Sequence, residues 1–155
     1  MRILLSGATG FLGKTLRETF AREGHEVTAL LRRPPEEDQG AFVLWDPAAG
    51  RLASPALEGF DAVIHLAGEN IAARRWTAAQ KERIRSSRVE GTRLLSEALS
   101  KLGKKPHSLL SASAVGFYGD RGDEILTEVS APGSGFLADV CQAWEAATQP
   151  AQDAG

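Results

Sequence analysis

Cysteine is almost missing from this chain. Cys141 stands alone among 155 residues, so no internal disulfide can form and a secreted disulfide scaffold is excluded. Histidine is scarce too: His25, His65 and His107 lie far from one another and from Cys141, so no zinc-ligand spacing arises. No run of about 18 apolar residues occurs, which argues against a transmembrane helix. The opening Met-Arg-Ile-Leu-Leu-Ser-Gly is broken by glycine too early for a signal peptide. Neither charge sign dominates: 18 Lys plus Arg face 20 Asp plus Glu, for a formal net charge of −2. Bulk attraction to nucleic acid or anionic lipid is therefore not expected. Hydrophobic residues at 43% and charged residues at 25% are ordinary globular proportions, which excludes global disorder. These absences leave a soluble, cytoplasmic single domain over 1–155, large enough to bury a core.

What is present is glycine, 16 residues of it, placed between apolar runs. Residues 2–5 form a short run, apolar on both faces, as in a buried parallel strand. A helical pattern follows, with Leu12, Leu16 and Phe20 as its apolar stripe and Gly24 at the C-terminal cap position. Residues 26–31 read as a second strand and 41–45 as a third. Residues 32–38, rich in Arg, Pro and acids (through Glu36, Glu37 and Asp38), read as exposed loop. Residues 61–66 read as a fourth strand. Thr77 and Gln80 have capping-box spacing and open a long helix with Ile84, Gly91, Leu94, Leu95, Ala98, Leu99 and Leu102 on one face. Residues 108–113 read as a fifth strand and 116–133 as a polar loop. Phe136, Leu137, Val140, Cys141 and Trp144 mark a last helix, stopped by Pro150. Strands alternating with helices predict an α/β fold of Rossmann type. It is a doubly wound parallel sheet in the order 3-2-1-4-5 with helices on both faces. The chain stops after a helix, where such a fold would enter another strand, so it reads as the N-terminal part of a longer protein.

The first strand runs into Gly7-Ala8-Thr9-Gly10-Phe11-Leu12-Gly13 and then a helix. In a dinucleotide cradle the first glycine permits the tight turn, the second lets a pyrophosphate approach, and the third lets helix pack on strand. The helix N-terminus supplies N–H groups and partial positive charge. A glycine turn needed only for packing is the plainer alternative. A rival lies in the same stretch: residues 8–15 nearly match a phosphate-binding P-loop, with Lys14 and Thr15 at its end and Asp46 as a candidate magnesium ligand. Its required first glycine is Ala8, however, which removes backbone freedom where the loop must wrap a phosphate.

The end of the second strand bears on which dinucleotide. NAD sites place an acid there for the ribose 2′-hydroxyl. Here Arg32 and Arg33 follow Leu31, and no acid occurs until Glu36. A guanidinium binds a 2′-phosphate through paired charge-assisted hydrogen bonds, so NADP(H) is favoured over NAD, with Arg32 the nearer residue. The alternative is that both arginines solvate a loop.

With these motifs in order, the sequence resembles the NAD(P)-dependent epimerase/dehydratase group, the extended short-chain dehydrogenases/reductases. The resemblance rests on residues 7–13, on Leu66-Ala67-Gly68-Glu69-Asn70, on residues 87–92 with Leu94-Leu95, and on residues 111–119. Residues 67–71, Arg75-Trp76, residues 136–138 and Trp144-Glu145 are similar to an atypical subgroup labelled nucleoside-diphosphate-sugar epimerase or cell-division inhibitor. Members are roughly twice this length. The resemblance implies that Leu66, Ala67 and Gly68 line the cofactor's adenosine side and pyrophosphate. It also implies that Arg88 stands where a cofactor-contacting Asn is common. Arg88 shares a helical face with Lys81 and Arg85, which otherwise reads as a solvated basic face. A nucleic-acid patch on Arg74, Arg75 and Trp76 is weakened by the net acidic balance. The resemblance further implies a small-molecule substrate and a homodimer formed through the long helix, while the near-neutral charge balance points to no nucleic-acid or membrane partner.

The family's catalytic Ser, Tyr and Lys are only partly matched. Ser113, or failing it Ser111, lies where the serine falls, but the Tyr-x-x-x-Lys positions hold Phe136 and Val140, which cannot exchange a proton. Tyr118 is the only tyrosine and the only phenolic substitute. Glu69 is a candidate carboxylate acid or base, against a structural role beside Asn70. Asp120, Asp123, Glu124 and Glu128 read as loop solvation, the histidines as structural, and Cys141 and Trp144 as core. The leading expectation is an NADP(H)-binding domain of an epimerase-type oxidoreductase. Its substrate would be a small hydroxyl- or carbonyl-bearing molecule, nucleotide sugars included. The alternatives are a non-catalytic dinucleotide sensor and, third, a P-loop-like hydrolase.

Overall fold

A computed structural model describes residues 1–35 and 40–155. Its elements are β1 (Arg2–Ser6), α1 (Phe11–Arg22), β2 (Glu26–Leu31), β3 (Phe42–Asp46), β4 (Arg51–Leu52), β5 (Ala62–His65), α2 (Ala78–Ser100), β6 (Ser108–Ser111), α3 (Phe136–Ala146) and α4 (Gln149–Asp153). Among the described residues the sheet order is β4-β3-β2-β1-β5-β6. All neighbours are parallel except the β3–β4 pair, which is antiparallel. Without β4, a two-residue edge strand too short to leave a periodic signal, this is the expected 3-2-1-4-5 order. Of the loop after β2, Glu36, Glu37 and Asp38 lie outside the described residues.

The registers divide the side chains between two faces. Leu4 stands beside Val63, and Leu5 beside Ala29 and Ile64. Successive strand residues point to opposite faces, so Leu4, Leu30 and Val63 meet Leu95, Ala98 and Leu99 of α2, with Trp45 completing that core. Gly91 lets α2 approach closely there, since a Cβ would stand 3.5 Å from the Trp45 ring. On the other face Leu5, Ala8 and Ala29 pack under Leu16 of α1. Helices therefore cover both faces, as expected.

That second face is thin. Gly13 is the buried residue of α1, whereas Leu12 is 61% exposed, contrary to the stripe expected from Leu12, Leu16 and Phe20. The reason is local. A Cβ on Gly13 would lie 2.1 Å from the Gly7 carbonyl oxygen. The helix therefore presses its Gly13 side onto the loop and turns Leu12, one residue and about 100° away, to the flank. Gly24, at φ +79°, ends α1 as expected, with its N–H donated to the Ala21 carbonyl. Two further differences are small. Pro150 does not merely stop α3: it sits in the first turn of α4, where its missing N–H costs nothing. The loop read over 116–133 begins with a 3-10 turn, Val115–Tyr118.

Candidate functional site

The chain reverses its winding direction between β1 and β5. The loops that leave the carboxyl ends of these two strands frame a crevice, the place where open α/β sheets hold ligands. Gly7, at φ +69°, lies against the second loop: a Cβ there would meet the Leu66 carbonyl carbon at 2.9 Å. Gly13 is needed for helix–loop contact, as described. Gly10 is different, because a Cβ would find only the Gly7 oxygen, at 3.2 Å. Gly10 is exposed and caps α1 with no side-chain hydrogen bond, and the first helical turn holds no acid. The first amides of α1 thus open toward solvent at the crevice.

A cavity of about 660 Å³ occupies the crevice. The loop residues Gly7, Thr9 and Gly10 form its floor, Arg32 comes from the end of β2, and Leu66, Ala67, Gly68 and Glu69 come from the β5 loop. Seven of the twelve residues expected to hold a cofactor therefore share one cavity. Phe11, Leu12 and Gly13 start α1 at its edge, and Arg33 lies exposed beside Arg32. Asp46, Ser87 and Arg83 line the cavity as well; nothing in the pattern singled out Arg83, Ser87 entered only as the first residue of the 87–92 motif with no role given, and Asp46 was weighed only as a magnesium ligand. Asp46 instead accepts from Arg51 at 2.8 Å and from the Ala49 N–H at 3.1 Å. Those contacts hold its carboxyl below the usual range. The P-loop alternative loses support here: the helix already begins at Phe11, so no loop extends to Lys14, which is exposed.

A buried polar chain sets the second loop. Ser6 Oγ accepts the Leu66 and Ala67 N–H groups at 3.1 and 3.2 Å. With both acceptor sites filled, its own proton points to His65 Nδ1 at 2.6 Å. The His65 proton is then on Nε2, which donates to Thr92 Oγ1 at 3.0 Å. Burial drives the His65 pKa down to about 4, so the ring stays neutral. A strand residue, a strand-end histidine and a helix threonine thereby fix the backbone at 66–67.

Arg88 does not enter the cavity. Its Nη1 donates to the Glu69 and Ile84 carbonyls at 3.0 and 3.2 Å, and its guanidinium lies 5.2 Å over the Trp144 ring. A Cβ on Gly68 would stand 3.2 Å from it. Arg88 therefore supports Gly68 from behind, and burial lowers its pKa. Lys81 lies over the Phe136 ring at 5.3 Å, so the basic face of α2 is turned in part toward α3 rather than wholly to water. Cys141 is buried, and burial, with Glu145 nearby, raises its thiol pKa, as suits an inert core thiol.

The candidate catalytic residues are not brought together. Glu69 lines the crevice and accepts from Gln80 Nε2 at 3.3 Å. Ser113 lines a separate cavity of about 610 Å³ beside the free edge of β6. Tyr118 lines neither cavity and packs edge-on against Phe117 at 5.2 Å. Ser113 does have a partner that the spacing did not reveal: its hydroxyl donates to Glu145 Oε1 of α3 at 2.5 Å. The Phe136 ring is held by Trp76, edge-on at 5.6 Å, and Val140 is buried.

This chain is similar to known proteins in sequence and in fold. Residues 3–139 match the NAD dependent epimerase/dehydratase family. The chain is 39% identical over 153 residues to "Epimerase family protein Mb2239" of Mycobacterium bovis, covering 99% of this chain and 50% of that relative. It thus spans about half the length of the curated relatives it matches. The crystal structure of a nucleoside-diphosphate sugar epimerase from Corynebacterium glutamicum superposes with TM-score 0.85 at 44% identity, covering 100% of this chain and 32% of that one. Human epimerase family protein SDR39U1, solved with NADPH, superposes with TM-score 0.81 at 33% identity, covering 96% of this chain and 48% of that one.

Proposed function

The chain belongs to the NAD dependent epimerase/dehydratase family, and on that premise we propose that its crevice holds NADP(H). The observation that carries this reading is the pairing of an open, uncapped α1 N-terminus at Gly10 with Arg32 in the same cavity. The amides of α1 would take the pyrophosphate, and the Arg32 guanidinium the 2′-phosphate. Gly7, Thr9 and Gly10 would form the floor under the dinucleotide, with Phe11, Leu12 and Gly13 starting α1 at the edge. Leu66, Ala67 and Gly68, backed by Arg88, would form a wall, and Arg33 adds positive charge at the rim. The relative solved with NADPH supports this choice of dinucleotide. Titration of the chain with NADPH and NADH tests it. Arg32→Ala should weaken NADPH about tenfold or more, the worth of a charged hydrogen-bond pair, and leave NADH within about twofold. Equal losses would remove the 2′-phosphate assignment.

In the whole protein we place this domain in an epimerase-type oxidoreductase acting on a small hydroxyl- or carbonyl-bearing molecule, nucleotide sugars included. It works in the cytoplasm, as a homodimer, with no nucleic-acid or membrane partner. The bound dinucleotide supplies hydride chemistry. The chain supplies orientation through its two loops, and Ser113, in its separate cavity with its hydroxyl donating to Glu145, is the serine candidate. Tyr118 and Glu69 remain the other proton-carrying candidates. In the whole protein, Tyr118→Phe should abolish turnover if Tyr118 is the acid. A second reading, a non-catalytic dinucleotide sensor, is favoured by Phe136 and Val140, neither of which can move a proton. Stoichiometric binding of NADPH by the whole protein, with no oxidation in the presence of carbonyl compounds, would decide for the sensor.

A further inference from the structure

Among the described residues, the walls of the crevice carry two guanidinium groups, Arg32 and Arg83, and three carboxylates, Asp46, Glu69 and Glu90. Their pairing is uneven. Asp46 is taken by Arg51 at 2.8 Å and Glu90 by Arg93 at 3.6 Å, while Glu69 accepts from the Gln80 amide. Among the described residues, neither Arg32 nor Arg83 has a carboxylate within ion-pair distance. Two of the three wall carboxylates are thus neutralised by cations outside the cavity, which leaves two guanidinium charges against Glu69 alone among the described residues, and the balance favours an anion.

Arg83 is held in an unusual way. Its Nε and Nη2 both donate to Gln80 Oε1, at 3.0 and 2.6 Å. Gln80 itself is 0% exposed, fixed by the Thr77 cap on its N–H and by Glu69 on its amide. An amide oxygen occupies one edge of the guanidinium without cancelling its charge. A carboxylate in the same place would have neutralised it. The arginine is thus positioned before any ligand arrives, which removes much of the ordering cost of binding. Its Nη1 makes no hydrogen bond among the described residues and is left for the cavity.

We propose that Arg83 is a second specificity residue for the phosphorylated dinucleotide, binding the adenosine 2′-phosphate jointly with Arg32, with Gln80 as its positioning residue. The inference rests on the reading of the crevice as an NADP(H) site. The pyrophosphate already has the amides of α1. The 2′-phosphate, with close to two negative charges, has no helix terminus and calls for cations. Arg32 from the end of β2 and Arg83 from α2 are the two that the cavity wall offers among the described residues. Neither the β2 end nor the glycine loop signals Arg83, because it reaches the crevice from a different helix some fifty residues later.

The test is titration of the 155-residue chain and its Arg83→Ala and Arg83→Lys variants with NADPH and with NADH, with thermal melting to confirm that each is folded. Arg83→Ala should weaken NADPH by about tenfold or more and NADH by less than about twofold. Arg83→Lys, which keeps the charge and loses the two-bond hold of Gln80, should fall between. Combining Arg32→Ala with Arg83→Ala should bring NADPH affinity down to that of NADH. Unchanged NADPH affinity in Arg83→Ala overturns the inference while leaving the dinucleotide reading intact. Equal losses for both ligands also overturn it, since the residue would then serve the shared part of the molecule. Failure of the parent chain to bind either ligand overturns the dinucleotide reading and this inference with it.

Discussion

Gly10 separates two reasons for being glycine. At Gly7 and Gly13 the reason lies within the protein: a positive φ with a carbonyl 2.9 Å from a Cβ at one, and a Cβ 2.1 Å from backbone at the other. At Gly10 the protein asks for little, since φ is −76° and only one atom crowds a Cβ, at 3.2 Å. Gly13→Ala should therefore destabilise the chain severely, by more than about 2 kcal/mol on the scale of overpacked sites, in denaturant titration. Gly10→Ala should cost under about 1 kcal/mol and still weaken dinucleotide binding at least about tenfold, because its methyl stands where a phosphate approaches. Normal binding by Gly10→Ala would mean that the loop is built for packing alone. The spacing of these three glycines was legible in the sequence, but their different causes were not. At Gly7 the cause is Leu66, fifty-nine residues away, and at Gly13 it is the folded-back backbone of Gly7 and Ala8.

At the scale of elements, Ser6, His65 and Thr92 tie β1, β5 and α2 into one hydrogen-bonded chain behind the second loop. His65 titrates at about 4 in the fold against 6.5 for an ordinary histidine. The unfolded chain therefore binds a proton that the folded chain refuses over this window, and stability falls as pH drops from about 6.5 to about 4. The full effect is about 3 kcal/mol. Urea titrations at steps across that window should show the loss, and a His65→Asn variant should show a flatter profile. Equal slopes in both would mean that His65 is not the group responsible. Asp46 and Asp61, whose carboxyls are held low by Arg51 and by the Arg2 N–H respectively, lose their contribution only below about pH 4. Their window is separate. Element boundaries were largely readable: Thr77 caps α2 as its spacing indicates. The exceptions were the Leu12 stripe and the β4 strand. Both depend on a partner surface, Gly7 in one case and β3 in the other, rather than on a period in the chain.

For the molecule as a whole, a net charge of −2 coexists with a cavity in which, among the described residues, Asp46 and Glu90 are ion-paired while Arg32 and Arg83 have no carboxylate partner. Local charge, not the total, should govern binding. NADPH affinity should therefore fall more steeply with added salt than NADH affinity, because two partly exposed guanidinium groups are screened within a Debye length of about 8 Å at physiological strength. Isothermal titration at low and high sodium chloride checks this, and parallel salt slopes would argue that Arg32 and Arg83 do not meet the extra phosphate.

Short-range pattern was enough for the alternation of strands and helices, the parallel sheet, the glycine turn with the helix behind it, and the arginine at the end of β2. Each of these is written within a few residues, as a period of apolar side chains or a backbone demand. Contacts between distant segments decided the rest. They placed Arg88 behind Gly68 rather than in the crevice, joined Ser113 to Glu145, and brought Arg83 to the crevice on a buried glutamine. Such pairings depend on how helices seat on the sheet, and helix seating is settled by packing across the whole core, which no local stretch encodes.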